Sequence, residues 1–182
     1  MLSNGRSLLA VQYNPFHITL THNFCDDIIK TGDLLNTTNA KIKDGNNANR
    51  SSKVSWLEGE HFPNHLHQCI DSANKLYNFS LHEFEPIQYT IYEEGDHYDW
   101  HVDNDVNMQH EPPVRKISMT LLLSPESEFE GGDLELMSEG KIAKLKQGHA
   151  VFFASFIRHR VTPVIRGRRQ SLVMWFGGTP FR

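Results

Sequence analysis

The second half of the chain is a succession of short apolar segments separated by turn residues, and this pattern limits the possible folds more than any other feature. The segments lie at residues 87–92, 116–123, 133–137, 141–145, 150–153, 159–164 and 170–176. Turn signals separate them at Ser124-Pro125, Gly131-Gly132, Gly140, Gly148 and Arg166-Gly167. Many short strands at regular spacing indicate a β-sandwich or barrel, and such short intervals leave no room for crossover helices. We therefore expect mainly antiparallel sheets here.

The first half has a different character. Strands are expected at residues 8–12, 16–20 and 54–57, and Thr21 or Asn23 could cap a helix that continues towards residue 35. Apolar residues recur at spacings of three and four from 62 to 77, which predicts an amphipathic helix that begins near Pro63. The polar segment 36–53 is predicted to be a loop, either solvated or a lid, and 104–115 is a second polar loop.

Charge and cysteine content argue against several classes of function. The net charge of −4 and the pI near 6.2 give no general attraction to nucleic acid or to an anionic membrane. No stretch has the apolar length of a transmembrane helix, and the first residues lack the apolar core of a signal peptide. Cys25 and Cys69 are far apart and form no CxxC motif, so we expect free thiols and a reducing, cytoplasmic setting.

The stretch IQYTIYEEGDHYDWHVD, residues 87–103, ends in a candidate pair of metal ligands, His101 and Asp103. Side chains at i and i+2 of a strand point to the same side, so an imidazole and a carboxylate at this spacing can bind one cation. His97 and Asp99 form a second pair in the same register, and strand geometry alone would let either pair bind. Their distance from the preceding turn at Gly95 favours His101 and Asp103, which lie deeper in the strand.

A catalytic metal site needs a third ligand, and the best candidate is His159, which lies 56 residues after Asp103. Two histidines and one carboxylate on one face of a metal form the facial triad of non-haem Fe(II) oxygenases, which leaves the opposite coordination positions open for cosubstrate and O2.

Several longer motifs agree with this triad in order and spacing. They are YTIYEEGDHYDWHVDN, RKISMTLLLS, FEGGDLEL and GHAVFFASFIRHRVTPVIRGRRQSLVMWFGG, which together cover roughly residues 84–180. This half of the chain resembles the prolyl 4-hydroxylase-like branch of the Fe(II)- and 2-oxoglutarate-dependent dioxygenases. In the first half only RSSKVSWL is similar, to an early strand of these enzymes.

The resemblance implies a set of site residues. The metal ligands, which are also the catalytic residues, would be His101, Asp103 and His159. Arg169 would bind the distal carboxylate of 2-oxoglutarate, and Arg168 is its competitor but has the opposite strand parity from Ser171. Tyr92 and Ser171 would assist in cosubstrate binding. The substrate-binding candidates are Tyr98, Trp100, Arg115 and Trp175.

The resemblance also implies the fold and the activity. The fold would be mainly β with N-terminal helices (α+β), with a double-stranded β-helix (jelly-roll or cupin-like) core of mostly antiparallel strands. The chain would form one domain, 1–182, with a helical support region 1–83 and a catalytic core 84–182. The implied activity is hydroxylation of a C–H bond in a protein or peptide substrate, with a peptidyl proline as first candidate. It would use Fe(II), 2-oxoglutarate and O2, with ascorbate as a candidate reductant, and release succinate and CO2.

Other functions remain open at this stage. Gly177-Gly178 replaces a polar residue that some prolyl hydroxylases carry after the tryptophan, so another amino acid or a small molecule could be the substrate. Nucleic-acid demethylation is disfavoured by the negative net charge. A non-catalytic, cupin-like metal-binding module is the alternative from a different class.

Overall fold

A computed structural model describes residues 15–40, 49–57, 64–104, 113–137 and 142–180. Its helices are α1 (His22–Asp33) and α2 (Asn64–Tyr77). Its strands, in chain order, are β1 (Phe16–Thr19), β2 (Thr38–Asn39), β3 (Arg50–Ser51), β4 (Lys53–Leu57), β5 (Glu83–Phe84), β6 (Ile87–Tyr92), β7 (His97–His101), β8 (Val114–Leu122), β9 (Phe129–Gly131), β10 (Leu134–Leu136), β11 (Ile142–Ala143), β12 (His149–Ala154), β13 (His159–Val161), β14 (Val164–Gly167) and β15 (Arg169–Gly178).

The strands form a main sheet and a smaller one. The main sheet has eight strands in the order β1-β12-β8-β15-β6-β4-β2, with β5 paired to β15. The smaller sheet has five strands in the order β11-β10-β13-β7-β3, and β14 pairs with β9. The pairings in these sheets are antiparallel, as the short intervals between strands predicted. The expected class, a mainly β chain with two helices, is confirmed.

Both faces of the main sheet are covered, and they differ in chemistry. On β15, Leu172 and Met174 belong to an apolar core with the helices, whereas Arg169 and Ser171 lie on the other face. The same division holds on β8, where Met119 is in the core and Thr120 lines the cavity. The apolar face contacts residues of both helices, and the polar face lines a cavity.

The helices begin and pack where the sequence pattern indicates. The side chain of Thr21 accepts a hydrogen bond of 3.3 Å from the backbone N–H of Phe24, so Thr21 is the N-cap of α1. Gly32 lies against the ring of Tyr89, and a Cβ there would come within 2.6 Å of it. Glycine at this position therefore allows α1 to approach β6 closely.

Three sequence predictions need correction or lie beyond the described residues. The segment 36–53 is not all loop, because it contains β2 and β3 and β4 begins at Lys53. The predicted strand 159–164 is divided into β13 and β14, which belong to different sheets. The predicted strand 8–12 lies outside the described residues, as do 41–48 and 105–112, the central parts of the two predicted polar loops.

Two further expectations concern cysteines and membrane spans. Cys25 and Cys69 are both free thiols, as predicted. Neither described helix has the length and apolar character needed to cross a membrane.

Candidate active site

A β-bulge in β7 decides which of its side chains face the cavity. His101 lies opposite His159 and Tyr98 lies opposite Val161, so three residue steps on β7 match two on β13. The extra residue brings Tyr98 and His101 to the same side, and their rings stack with centroids 3.5 Å apart. The alternation of β7 is therefore interrupted between Tyr98 and His101.

The bulge separates the two His-x-Asp pairs. His101, Asp103 and His159 form a cluster whose candidate ligand atoms all lie within 4.8 Å of one another. The rival pair is elsewhere: His97 Nδ1 lies 3.4 Å from the Gly95 carbonyl oxygen, and Asp99 accepts the backbone N–H of Trp100 at 2.6 Å. Among the residues that the structure describes, neither His97 nor Asp99 joins a metal-binding cluster.

The backbone orients both imidazoles of the cluster. His101 Nδ1–H donates to the Asp99 carbonyl at 2.8 Å, and His159 Nδ1–H donates to the Ile157 carbonyl at 2.9 Å. A carbonyl oxygen can only accept, so Nδ1 carries a proton, and Nε2 is the nitrogen whose lone pair can bind a metal. Both Nε2 atoms face Asp103, at 3.6 Å from Oδ1 for His101 and 3.5 Å from Oδ2 for His159.

The surroundings of His101 and Asp103 disfavour protonation of both side chains. Burial, followed by the charge of His159, lowers the pKa of His101 to about 4, so its imidazole is neutral at neutral pH. Burial opposes ionisation of Asp103, but His159, His101 and a hydrogen bond from Ser118 hold its pKa below the ordinary value. Two imidazole nitrogens and a carboxylate are a donor set that suits Fe(II), so these residues fit a metal.

Ser118 on β8 orients the carboxylate of Asp103. Its Oγ–H donates to Asp103 Oδ2 at 2.6 Å and its Oγ lies 3.0 Å from that of Ser155. We expect Ser118→Ala to weaken Fe(II) binding about 10- to 100-fold, the usual effect of losing a group that holds a metal ligand. Metal titration of the folded apoprotein would measure this. An unchanged affinity would mean that Asp103 is positioned by its backbone alone.

A buried cation lies in the same cavity as the cluster. Arg169 lies in the wall of this cavity and is only 1 % exposed. Its Nη1–H donates to Ser171 Oγ at 3.1 Å, and its guanidinium lies 5.5 Å from the ring centroid of Tyr92. Within the described parts of the chain no ion pair joins Arg169 to a carboxylate, and burial lowers its pKa. Although the charge of Asp133 acts on Arg169, no described carboxylate forms an ion pair with it, and a buried guanidinium in this state fits an anionic ligand.

Arg168 lies between β14 and β15 and does not line the cavity. It pairs with Asp33 of α1 at 2.8 Å and is partly exposed. The two arginines are therefore separated, as the sequence predicted.

Gly132 leaves the space that Arg169 occupies. A Cβ there would lie 2.7 Å from Arg169 Cδ, and the φ of Gly132 is +63°. We expect Gly132→Ala to raise the KM for 2-oxoglutarate by displacing Arg169, in addition to a backbone strain of about 1 kcal/mol. The matched control is Gly95→Ala, because Gly95 has a φ of +85° but nothing within 4 Å of such a Cβ. Equal KM values in both variants would contradict this role of Gly132.

The structure brings some of the predicted substrate residues to the cavity and not others. Tyr98 and Trp175 line it. Trp100 does not; its ring lies 4.9 Å from the guanidinium of Arg160. Arg115 does not line it either; its guanidinium carbon lies 3.8 Å from the ring centroid of Trp175.

Three polar residues of the cavity wall were not singled out from the sequence. They are Arg50, Gln88 and Thr120. Gln88 and Thr120 had a signal, because each is a polar residue at an alternate position of an otherwise apolar strand. Arg50 had none: it lies in the segment predicted to be a loop, and its guanidinium carbon is 4.6 Å from the ring centroid of Tyr98.

Comparison with known proteins identifies relatives of this fold and site. The family model of the 2OG-Fe(II) oxygenase superfamily matches residues 87–177. A PKHD-type hydroxylase from Hyphomonas neptunium is 38% identical over 96 residues, which cover 51% of this chain and 43% of that protein. The matched segment thus spans less than half of this curated relative.

Two solved structures are similar over most of the chain. A prolyl-4-hydroxylase from Pseudomonas putida superposes with a TM-score of 0.73 at 19% identity, covering 94% of this chain and 99% of that one. A prolyl hydroxylase from Trichoplax adhaerens, solved with a hypoxia inducible factor peptide fragment, gives a TM-score of 0.72 at 20% identity, with 93% and 87% coverage. These likenesses confirm the expected jelly-roll core. With the family model matching half of its residues, the chain belongs to the 2OG-Fe(II) oxygenase superfamily.

Proposed function

We propose that the chain is an Fe(II)- and 2-oxoglutarate-dependent dioxygenase that hydroxylates a peptidyl proline and releases succinate and CO2. One observation carries this proposal: the cluster of His101, Asp103 and His159 shares a cavity with the buried Arg169. A site with three metal ligands and a separate buried cation suits a cosubstrate that chelates a metal at one end and carries a carboxylate at the other.

The three ligands would hold Fe(II) through the Nε2 atoms of His101 and His159 and a carboxylate oxygen of Asp103. Held there, Fe(II) would activate O2, with 2-oxoglutarate as the two-electron reductant, so that one oxygen atom is added to the substrate C–H bond and the other is taken up in succinate as CO2 is released. The backbone carbonyls that accept from Nδ1–H fix the orientation of both imidazoles and leave Nε2 as the ligand atom of each. Ser118 fixes the carboxylate by donating to Asp103 Oδ2.

Arg169 would bind the distal carboxylate of 2-oxoglutarate. Its planar guanidinium can donate two parallel hydrogen bonds to a carboxylate, and Ser171 holds it from one side. The Tyr92 ring faces the guanidinium, and its hydroxyl could donate to the cosubstrate because burial raises its pKa and keeps it protonated. The apolar wall residues Leu134 and Val161 would keep water from this end of the cavity.

Trp175 would contact the substrate. Its indole Nε1–H is buried, has no hydrogen-bond partner among the described residues, and belongs to a side chain of the cavity wall. A peptide carbonyl could accept this hydrogen bond. Arg115, paired with Glu85 through two contacts of 2.5 Å, covers one face of the indole and fixes its orientation.

The experiment that tests the function uses the Fe(II)-loaded protein with 2-oxoglutarate, O2 and ascorbate. Proline-containing peptides are supplied, and succinate and peptide mass are measured. We expect succinate release that depends on peptide, together with the gain of one oxygen atom at proline. Turnover that responds to free amino acids but to no peptide would refute the peptide substrate and leave the cofactor chemistry standing.

A further inference from the structure

An exposed tryptophan, Trp56, lies on the cavity face of the main sheet. Trp56 on β4 is directly opposite Gln88 on β6. Directly paired residues of neighbouring strands project to the same face, and Gln88 lines the cavity, so Trp56 lies on the cavity face too. Its side chain is nevertheless 48% exposed, whereas its neighbours Ser55 and Leu57 are buried.

Trp56 continues a row of ring contacts that starts inside the cavity wall. Arg115 covers Trp175 at 3.8 Å, and the ring centroids of Trp175 and Trp56 are 6.5 Å apart with an interplanar angle of 45°. Trp175 is 6% exposed, so Trp56 is the solvent-facing end of this row. A large indole that faces water next to a substrate cavity is a typical contact surface for a ligand that is apolar at that point.

The distance between the two indoles matches the spacing of residues in an extended peptide. An extended or polyproline II chain advances about 3.1–3.4 Å per residue, so two residues span roughly the 6.5 Å between the rings. If the residue to be hydroxylated lies against Trp175 in the cavity wall, a residue two positions away along an extended peptide would lie on Trp56.

The charges around the row favour an uncharged side chain at that position. The guanidinium of Arg115 is already paired with both carboxylate oxygens of Glu85. The contact that this pair leaves to a ligand at the exposed end of the row is the indole face of Trp56.

We propose that Trp56 is a specificity-determining subsite for the peptide substrate. It binds an uncharged, ring-bearing residue two positions from the hydroxylated proline. This inference rests on the proposed function, because it assumes that a peptide occupies the cavity. It adds a sequence requirement that the metal and cosubstrate site does not impose.

The test uses ten-residue peptides with one central proline in a host of glycine, serine and alanine. Tyrosine is placed two residues before or two residues after the proline, and alanine at the same place is the reference. In the native protein we expect one of the two tyrosine peptides to have a KM about three- to tenfold lower than its alanine reference, as for other aromatic contacts. This preference should vanish in Trp56→Ala and return in Trp56→Phe, with the KM for 2-oxoglutarate unchanged.

Phe84→Ala is the matched control. Phe84 is 58% exposed but is paired with Phe176, whose side chain packs in the apolar core on the opposite face. The tyrosine preference should persist in this variant. A preference that survives in Trp56→Ala, or its absence in the native protein, would overturn the subsite, while hydroxylation of the host peptide would still support the proposed function. If the native protein hydroxylates none of these peptides, the peptidyl-proline function is overturned and the subsite with it.

Discussion

The variant His159→Ala should show no iron-dependent turnover of 2-oxoglutarate. His159 is 6% exposed, and its Nε2 is one of the three converging ligand atoms, so its loss leaves a pair that cannot hold Fe(II) in a facial arrangement. The variant should remain folded, because the imidazole is a cavity-wall group next to Phe153 and removing it leaves Asp103 facing His101. Succinate release in the absence of peptide, before and after Fe(II) addition, measures the effect.

His97→Ala is the control for this experiment. His97 lies on the same strand as His101 and belongs to the rival His-x-Asp pair, but it is outside the ligand cluster. Its replacement should leave the turnover of 2-oxoglutarate unchanged. Retained turnover in His159→Ala, or loss of turnover in His97→Ala, would contradict the assignment of the metal ligands.

The second large effect is expected from Arg169→Met. Methionine keeps much of the volume of the buried side chain but removes its charge. A hydrogen bond to a charged group is worth about 1.5–3 kcal/mol, so the KM for 2-oxoglutarate should rise about 10- to 100-fold. The free protein should become more stable, because a buried cation without an ion-pair partner among the described residues is removed.

Thermal unfolding with and without 2-oxoglutarate separates these two effects. The native Fe(II)-loaded protein should gain melting temperature as 2-oxoglutarate is added, because the ligand binds only the folded state. In Arg169→Met the melting temperature should start higher and respond less. Arg168→Met is the control: its guanidinium pairs with Asp33 outside the cavity, so the response to 2-oxoglutarate should be native. A native response in Arg169→Met and a weakened response in Arg168→Met would show that Arg168 binds the distal carboxylate of 2-oxoglutarate.

The periodicity of the sequence predicted much of the fold and the centre of the site. Alternation and turn residues located β6, β8, β10, β12 and β15 within a few residues of their observed ends. Strand parity placed Arg169 and Ser171 on one face, because β15 is regular from Arg169 onwards, and Arg168 precedes that strand. Local pattern is sufficient where a strand has ideal geometry.

The departures from prediction have physical causes that local pattern does not contain. The bulge in β7 shifts its alternation by one residue, so Tyr98 joins His101 at the cavity while Trp100 contacts Arg160 outside it. The two-residue strand β3 is stabilised by pairing with β7 rather than by its own sequence. The sequence alone therefore did not distinguish Arg50 from the polar segment around it. Both effects arise from contacts between distant parts of the chain.

The central claim is that one cavity binds Fe(II) and 2-oxoglutarate together. The most direct measurement is the absorption spectrum of the apoprotein mixed anaerobically with Fe(II) and 2-oxoglutarate, with no peptide present. We predict a visible charge-transfer band of the metal chelate, absent in His101→Ala. A folded native protein that binds Fe(II) and shows no such band would contradict the oxygenase account and favour a cupin-like metal-binding module.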